Sequence, residues 1–128
     1  MSIDEVEILR ERAIAFLRNA EYLYSISQYD LAMFSLEQYC QLILKYKLLI
    51  KTGTYPRTHS ITYLLKLLSK ISQEVNMLLE NEENFIILTK IEDAYIGSRY
   101  LPRRYDEKEV RVVLRFIKEV FNPVVERI

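Results

Sequence analysis

From Tyr95 to Tyr105 the chain reads YIGSRYLPRRY, which sets Arg99, Arg103 and Arg104 among Tyr95, Tyr100 and Tyr105. Guanidinium forks take phosphate oxygens in bidentate fashion, and tyrosine rings stack on bases. These residue types suit a nucleotide or a single strand of nucleic acid. They also suit a plainer role. Arginines near a helix C-terminus complement its macrodipole and pair with acids such as Glu92, Asp93 or Glu107, while the tyrosines fill the edge of a fold. Amides at the start of a following helix would add to an anion site, in competition with Asp106 and Glu107.

A second constellation lies upstream in GTYPRTHS, where His59 follows Tyr55 and Arg57. An ordinary histidine pKa of about 6.5 suits a general base. His59 is therefore the candidate catalytic residue, acting on a ribose hydroxyl while Arg57 or Arg99 stabilises charge developing on phosphorus. A histidine at a helix start serves equally well as a capping or packing residue. Glu37, Gln38 and Tyr39 are also placed to line a groove, although core packing explains Tyr39 just as well.

Other chemistries find no support. Two glycines cannot build the common phosphate-binding loops. One histidine and one cysteine do not make a zinc site, and no Glu-x-x-His pair of the di-iron bundle type occurs. We therefore expect no metal and no cofactor. Cys40 lies in an apolar helical stretch, where a free thiol behaves as a small hydrophobe rather than as the partner of His59 in catalysis.

Composition narrows the class. The 128 residues match one domain spanning 1–128, half of them are hydrophobic, and 18 Lys and Arg balance 18 Asp and Glu. With no net charge, attraction for nucleic acid has to come from a local patch. The lone cysteine fits a reducing cytoplasm, and the charged start MSIDEVEILRER is unlike a secretory signal. No uncharged run is long enough to span a membrane.

The elements that must position these residues read as helices throughout. Val6, Leu9, Ala13, Phe16, Leu17, Ala20 and Leu23 recur at three- and four-residue spacing, predicting a helix over 2–27 with Ser2 and Glu5 as a capping box. A second helix is expected from Asp30, as N-cap, to Thr52, with Gly53 ending it. Its sequence is apolar around most of its circumference, so it is either central or shared with another subunit, and we expect a homodimer.

A third helix over 60–71 would be capped by Thr58 or Ser60. Residues 72–84 are ambiguous. A further helix runs from about Asn84 to 95–98, and the last starts at a second capping box, Asp106 and Glu109, and ends near Phe121 before Pro123. No period-two stretch or hairpin turn occurs. The prediction is all-α: an up-and-down bundle of four main helices with one or two short ones.

Three stretches, in order, resemble the HEPN family of helical domains ("higher eukaryotes and prokaryotes nucleotide-binding"). RAIAFLRNAEYLYSISQYDLAMFSLEQYCQLILKYKLL resembles its first two helices, TGTYPRTHSITYLL its following loop and helix, and AYIGSRYLP its later arginine–tyrosine–proline signature. The resemblance implies a cytoplasmic helical bundle that usually dimerises, and such small proteins often accompany a minimal nucleotidyltransferase in toxin–antitoxin-like pairs. Some members are metal-independent endoribonucleases that use an arginine and a histidine with four to six residues between them. Here Thr52, Gly53 and Thr54 stand where that arginine would precede His59. By resemblance, Arg57, His59, Tyr95, Arg99 and Tyr100 carry over as a binding surface, to which the spacing argument adds Arg103 and Arg104. The expected function is nucleotide or RNA binding. The alternatives are an endoribonuclease with a rearranged site, or a module that contacts an acidic protein surface.

Overall fold

A computed structural model describes residues 3–128 of the chain. Helices α1 (Ile3–Ser25), α2 (Tyr29–Thr52), α3 (Ile61–Ser69), α4 (Val75–Glu80), α5 (Glu82–Gly97), α6 (Glu107–Phe116) and α7 (Asn122–Glu126) follow in order, with no strand among the described residues. The architecture is the expected all-α one: α1, α2, α5 and the α6–α7 rod are long, and α3 and α4 are short. Ser2, expected to cap α1, lies outside the described residues.

Helix α1 ends in a Schellman-type turn. The Gln28 amide donates to Leu23 O at 2.8 Å and the Ser27 amide to Tyr24 O at 3.1 Å, with Ser27 left-handed at φ 64. A non-glycine residue in this conformation costs about 1 kcal/mol, which the turn's two hydrogen bonds offset. This turn starts α2 earlier than its sequence suggests. Gln28 is the N-cap, without a side-chain bond, and Asp30 already lies in the first helical turn. Asp30 therefore does not cap α2. Its carboxylate instead accepts the Tyr105 backbone N–H at 2.7 Å.

Helix α2 is the axis of the fold. It packs against α1, α3, α5 and α6, so Met33, Leu36, Leu44 and most of its other apolar residues are buried within the chain. Its large exposed apolar residues are Leu31 and Ile50. Of the two explanations for its apolar circumference, the central position holds, and that circumference gives no support to a subunit interface. Gly53, left-handed at φ 87, ends it and donates to Leu49 O at 2.9 Å.

The ambiguous region 72–84 resolves into α4 and an extended Asn81, whose side chain accepts the Asn84 amide at 2.9 Å and starts α5 two residues before the predicted Asn84. The Asp106–Glu109 capping box forms as expected. The last helix does not stop before Pro123. A π-helical turn over Ile117–Phe121 intervenes, in which the Asn122 amide bonds to Ile117 O, and α7 follows with Pro123 in its first turn. The first turn of a helix needs no proline N–H, so the chain continues. Phe121, Val124 and Val125 stay in the core as a result.

Candidate functional site

The loop before α3 is tied to α5 by one carboxylate. Ser60 caps α3, its hydroxyl accepting the Tyr63 amide at 3.1 Å, and Thr58 Oγ1 accepts the Ser60 amide at 3.1 Å. Glu92 of α5 completes the cap: its Oε1 accepts from Ser60 Oγ and Thr62 N, both at 3.0 Å. Glu92 is thus not the partner of an arginine. An acid at a helix N-terminus complements the dipole, and here it also joins two elements.

This join sets His59 against Tyr95. Their rings stack with centroids 3.9 Å apart and planes inclined by 21°. His59 is exposed, and its ring nitrogens have no hydrogen-bond partner among the described residues. The two sequence segments singled out for chemistry therefore meet within one subunit, and Tyr95 is where they meet.

Arg99 lies beside the same ring. Its guanidinium carbon is 4.4 Å from the Tyr95 centroid, 4.7 Å from that of Tyr100 and 4.9 Å from that of Phe34 on α2. Nε donates to Tyr95 O at 2.9 Å. No carboxylate pairs with it among the described residues. Three rings and one carbonyl thus fix a cation whose remaining N–H groups are free for an anion. Arg57 and Arg104 are exposed and likewise form no ion pair among the described residues. Tyr100 is 69% exposed and presents a ring to solvent.

Arg103 is placed differently. It lies 4.0 Å over the Tyr105 ring and donates to Glu109 Oε2 at 2.8 Å. Glu107, offered from the sequence as an arginine partner in this segment, instead takes Arg111 and the Tyr24 hydroxyl. Tyr105 is a buried anchor, with its backbone N–H on Asp30 and its hydroxyl where a Cβ of Gly97 would sit, 2.9 Å away. Gly97 is needed for this close approach, which holds the 98–104 segment on the bundle.

Between this segment, α5 and the loop before α3 runs a groove of about 960 Å³. His59, Lys90, Asp93, Tyr95, Ile96 and Arg103 are among its lining residues. Lys90 was not singled out in the sequence, because it sits mid-helix and its partner Glu109 is on another element. Donation to Glu109 by Lys90, by the Asp106 backbone and by Arg103 outweighs burial, which alone would raise its pKa, and holds it below the usual glutamate range.

Behind the Arg99 cluster, α2 buries Glu37 completely. Gln38 Nε2 donates to its Oε1 at 2.7 Å, and Gln41 donates to its Oε2. Neither partner is a cation. Burial pushes its pKa up to about 7, against the opposing effects of the two amides, Arg99 and Lys45. Both carboxylate oxygens are thus satisfied by side-chain amides of the same helix. Tyr39 belongs to the core instead, its hydroxyl on Asn122 Oδ1 at 2.5 Å. Cys40 is fully buried there too.

Among the described residues there is no group of three His, Cys, Asp or Glu side chains placed to hold a metal ion, and no helix long and apolar enough to cross a membrane. No curated relative matches the chain. The HEPN domain profile, however, matches residues 6–128, a span that takes in α2, the His59–Tyr95 stack and the whole 98–105 segment, and the chain belongs to the HEPN domain family.

Proposed function

We propose that the chain, as a single domain over 1–128, is a binding module for a nucleotide or RNA. Arg99 holds a phosphate, the exposed Tyr100 ring stacks on a base, Tyr95 holds His59 and Arg99 in place through its ring, and Arg57 and Arg104 add positive charge at the edges. The observation that carries this reading is the Arg99 guanidinium, fixed by three rings, with no ion pair among the described residues and with the buried Glu37 acting on it only at a distance. Family membership supports the same ligand class. We further take the protein to be cytoplasmic and to work as a homodimer beside a minimal nucleotidyltransferase in a toxin–antitoxin-like pair, on the strength of the family resemblance.

A second reading has its own support. His59 and Arg99 both contact the Tyr95 ring, so a candidate base and a candidate charge stabiliser border one side chain. That is the minimum an endoribonuclease with a rearranged site would need.

One experiment separates the readings. Labelled single-stranded RNA is incubated in chelator with wild type, Arg99→Ala and His59→Ala, and both binding and cleavage are followed. The binding module predicts no cleavage and an affinity that falls about tenfold in Arg99→Ala. Cleavage that disappears in His59→Ala makes the protein a ribonuclease. Absence of any RNA affinity removes both readings and leaves a protein-interaction module, for which a salt-insensitive complex with a partner protein is the signature.

A further inference from the structure

Lys90 comes from α5 and Arg103 from the segment beyond it, yet both converge on one atom. Lys90 Nζ is 2.5 Å and Arg103 Nη2 2.8 Å from Glu109 Oε2. The other carboxylate oxygen is engaged elsewhere: Oε1 accepts the Asp106 backbone N–H at 3.2 Å, inside the capping box of α6. Both cations line the groove that also holds His59 and Tyr95.

Two cationic donors converging on a single anionic oxygen make the arrangement that grips a phosphate oxygen. Glu109 supplies one negative charge to two positive ones, so these three side chains keep one net positive charge while the carboxylate is in place. Of the acids that also line the groove, Glu92 is held in the cap of α3 and Asp93 makes no ion pair with either cation. Arg103 also rests on the Tyr105 ring at 4.0 Å, a contact in which Glu109 takes no part. The ion pairs are partly open to solvent, and such pairs hold weakly.

We infer that Lys90 and Arg103 form a seat for the terminal phosphate of a nucleotide or RNA strand, which the Glu109 carboxylate occupies in the free protein. This deepens the reading of the Arg99–Tyr95 surface as a nucleotide site and rests on it; Tyr95 is the residue that this surface and the groove share. The charge balance selects the kind of phosphate. An internal phosphodiester carries one negative charge, so exchanging it for the carboxylate gains little. A terminal phosphomonoester carries about −1.5 to −2 at neutral pH and matches both cations. The groove would therefore prefer a phosphorylated strand end to the interior of a strand, with the adjoining base beside the His59–Tyr95 stack.

The test is calorimetric titration of the wild-type protein with unlabelled RNA hexamers carrying a 5′-phosphate, a 3′-phosphate or neither. One phosphorylated end should bind about tenfold more tightly than the unphosphorylated strand, the size of one added set of charge-assisted bonds. Glu109→Gln preserves the capping box, since glutamine serves at that position, and removes the competing charge. It should tighten binding of the phosphorylated strand several-fold. Lys90→Ala with Arg103→Ala should abolish the preference while the unphosphorylated strand still binds through Arg99.

Equal affinity of wild type for all three strands, a preference that survives the double substitution, or weaker binding by Glu109→Gln would each overturn the seat. These results leave the RNA-binding reading standing. Failure of every strand to bind overturns both.

Discussion

The imidazole of His59 lies flat against the phenol ring of Tyr95, centroids 3.9 Å apart, and Arg99 reaches the same ring at 4.4 Å. One tyrosine thereby links the loop before α3 to the end of α5. Neither contact is made by the tyrosine hydroxyl; both are made by its ring.

It follows that Tyr95→Phe should bind RNA as wild type does, within about twofold, whereas Tyr95→Leu should lose roughly tenfold. The ring holds His59 and Arg99, and so the position of the guanidinium, while the hydroxyl takes no part in either contact. Fluorescence anisotropy with a short single strand at fixed salt distinguishes the two. Equal loss in both variants would assign the role to the hydroxyl and remove the ring's part in positioning Arg99.

Gly97 and Tyr105 make a second prediction, about stability. In an exposed helix, Gly→Ala stabilises by up to about 1 kcal/mol. At position 97 the new Cβ would meet the Tyr105 hydroxyl at 2.9 Å, so the substitution should destabilise by about 1–3 kcal/mol instead. Tyr105→Phe removes the clashing oxygen and leaves Cζ at 4.0 Å, an ordinary contact. In that background Gly97→Ala should become neutral or stabilising. Urea unfolding of the four proteins gives the cycle, and one sign in both backgrounds would show that the close approach is not what demands glycine.

Glu37 predicts a pH dependence. Its pKa is raised by burial from 4.5 to about 7, so the folded protein takes up a proton there that the unfolded chain does not hold. The resulting stabilisation is complete below pH 4.5 and is lost as pH rises to about 7, amounting to a few kcal/mol. Glu37→Gln cannot titrate. Relative to wild type it should therefore gain stability as pH rises through that window, and at pH 8 it should unfold at higher urea. A wild-type minus variant difference that stays constant from pH 4.5 to 8 would mean another group is responsible.

How much of this was legible beforehand follows the range of the interactions involved. The 3.6-residue period of the apolar residues, the Asp106–Glu109 box, Ser60 ahead of α3 and Gly53 behind α2 all act within one or two helical turns. They were readable because both partners sit side by side in the sequence. The two exceptions are instructive. Asp30 looks like a cap, but the left-handed turn at Ser27 starts the helix before it, and Pro123 looks like a stop, but the π-helical turn carries the chain past it.

Sequence by itself thus determined an all-α bundle, its helix ends to within a few residues, and the set of arginines, tyrosines and the one histidine from which a site could be made. Tertiary structure alone decided which of them work together. It drew Glu92 to the start of α3 and away from the arginines, stacked His59 on Tyr95, left Arg99 without an acid and gave Arg103 and Lys90 one to share. Apart from the Arg103–Glu109 pair, these contacts join residues that are distant in the chain and adjacent only after α5 has packed against α2, α3 and α6. Side-chain type sets what a residue can bind, and packing sets what it has already bound.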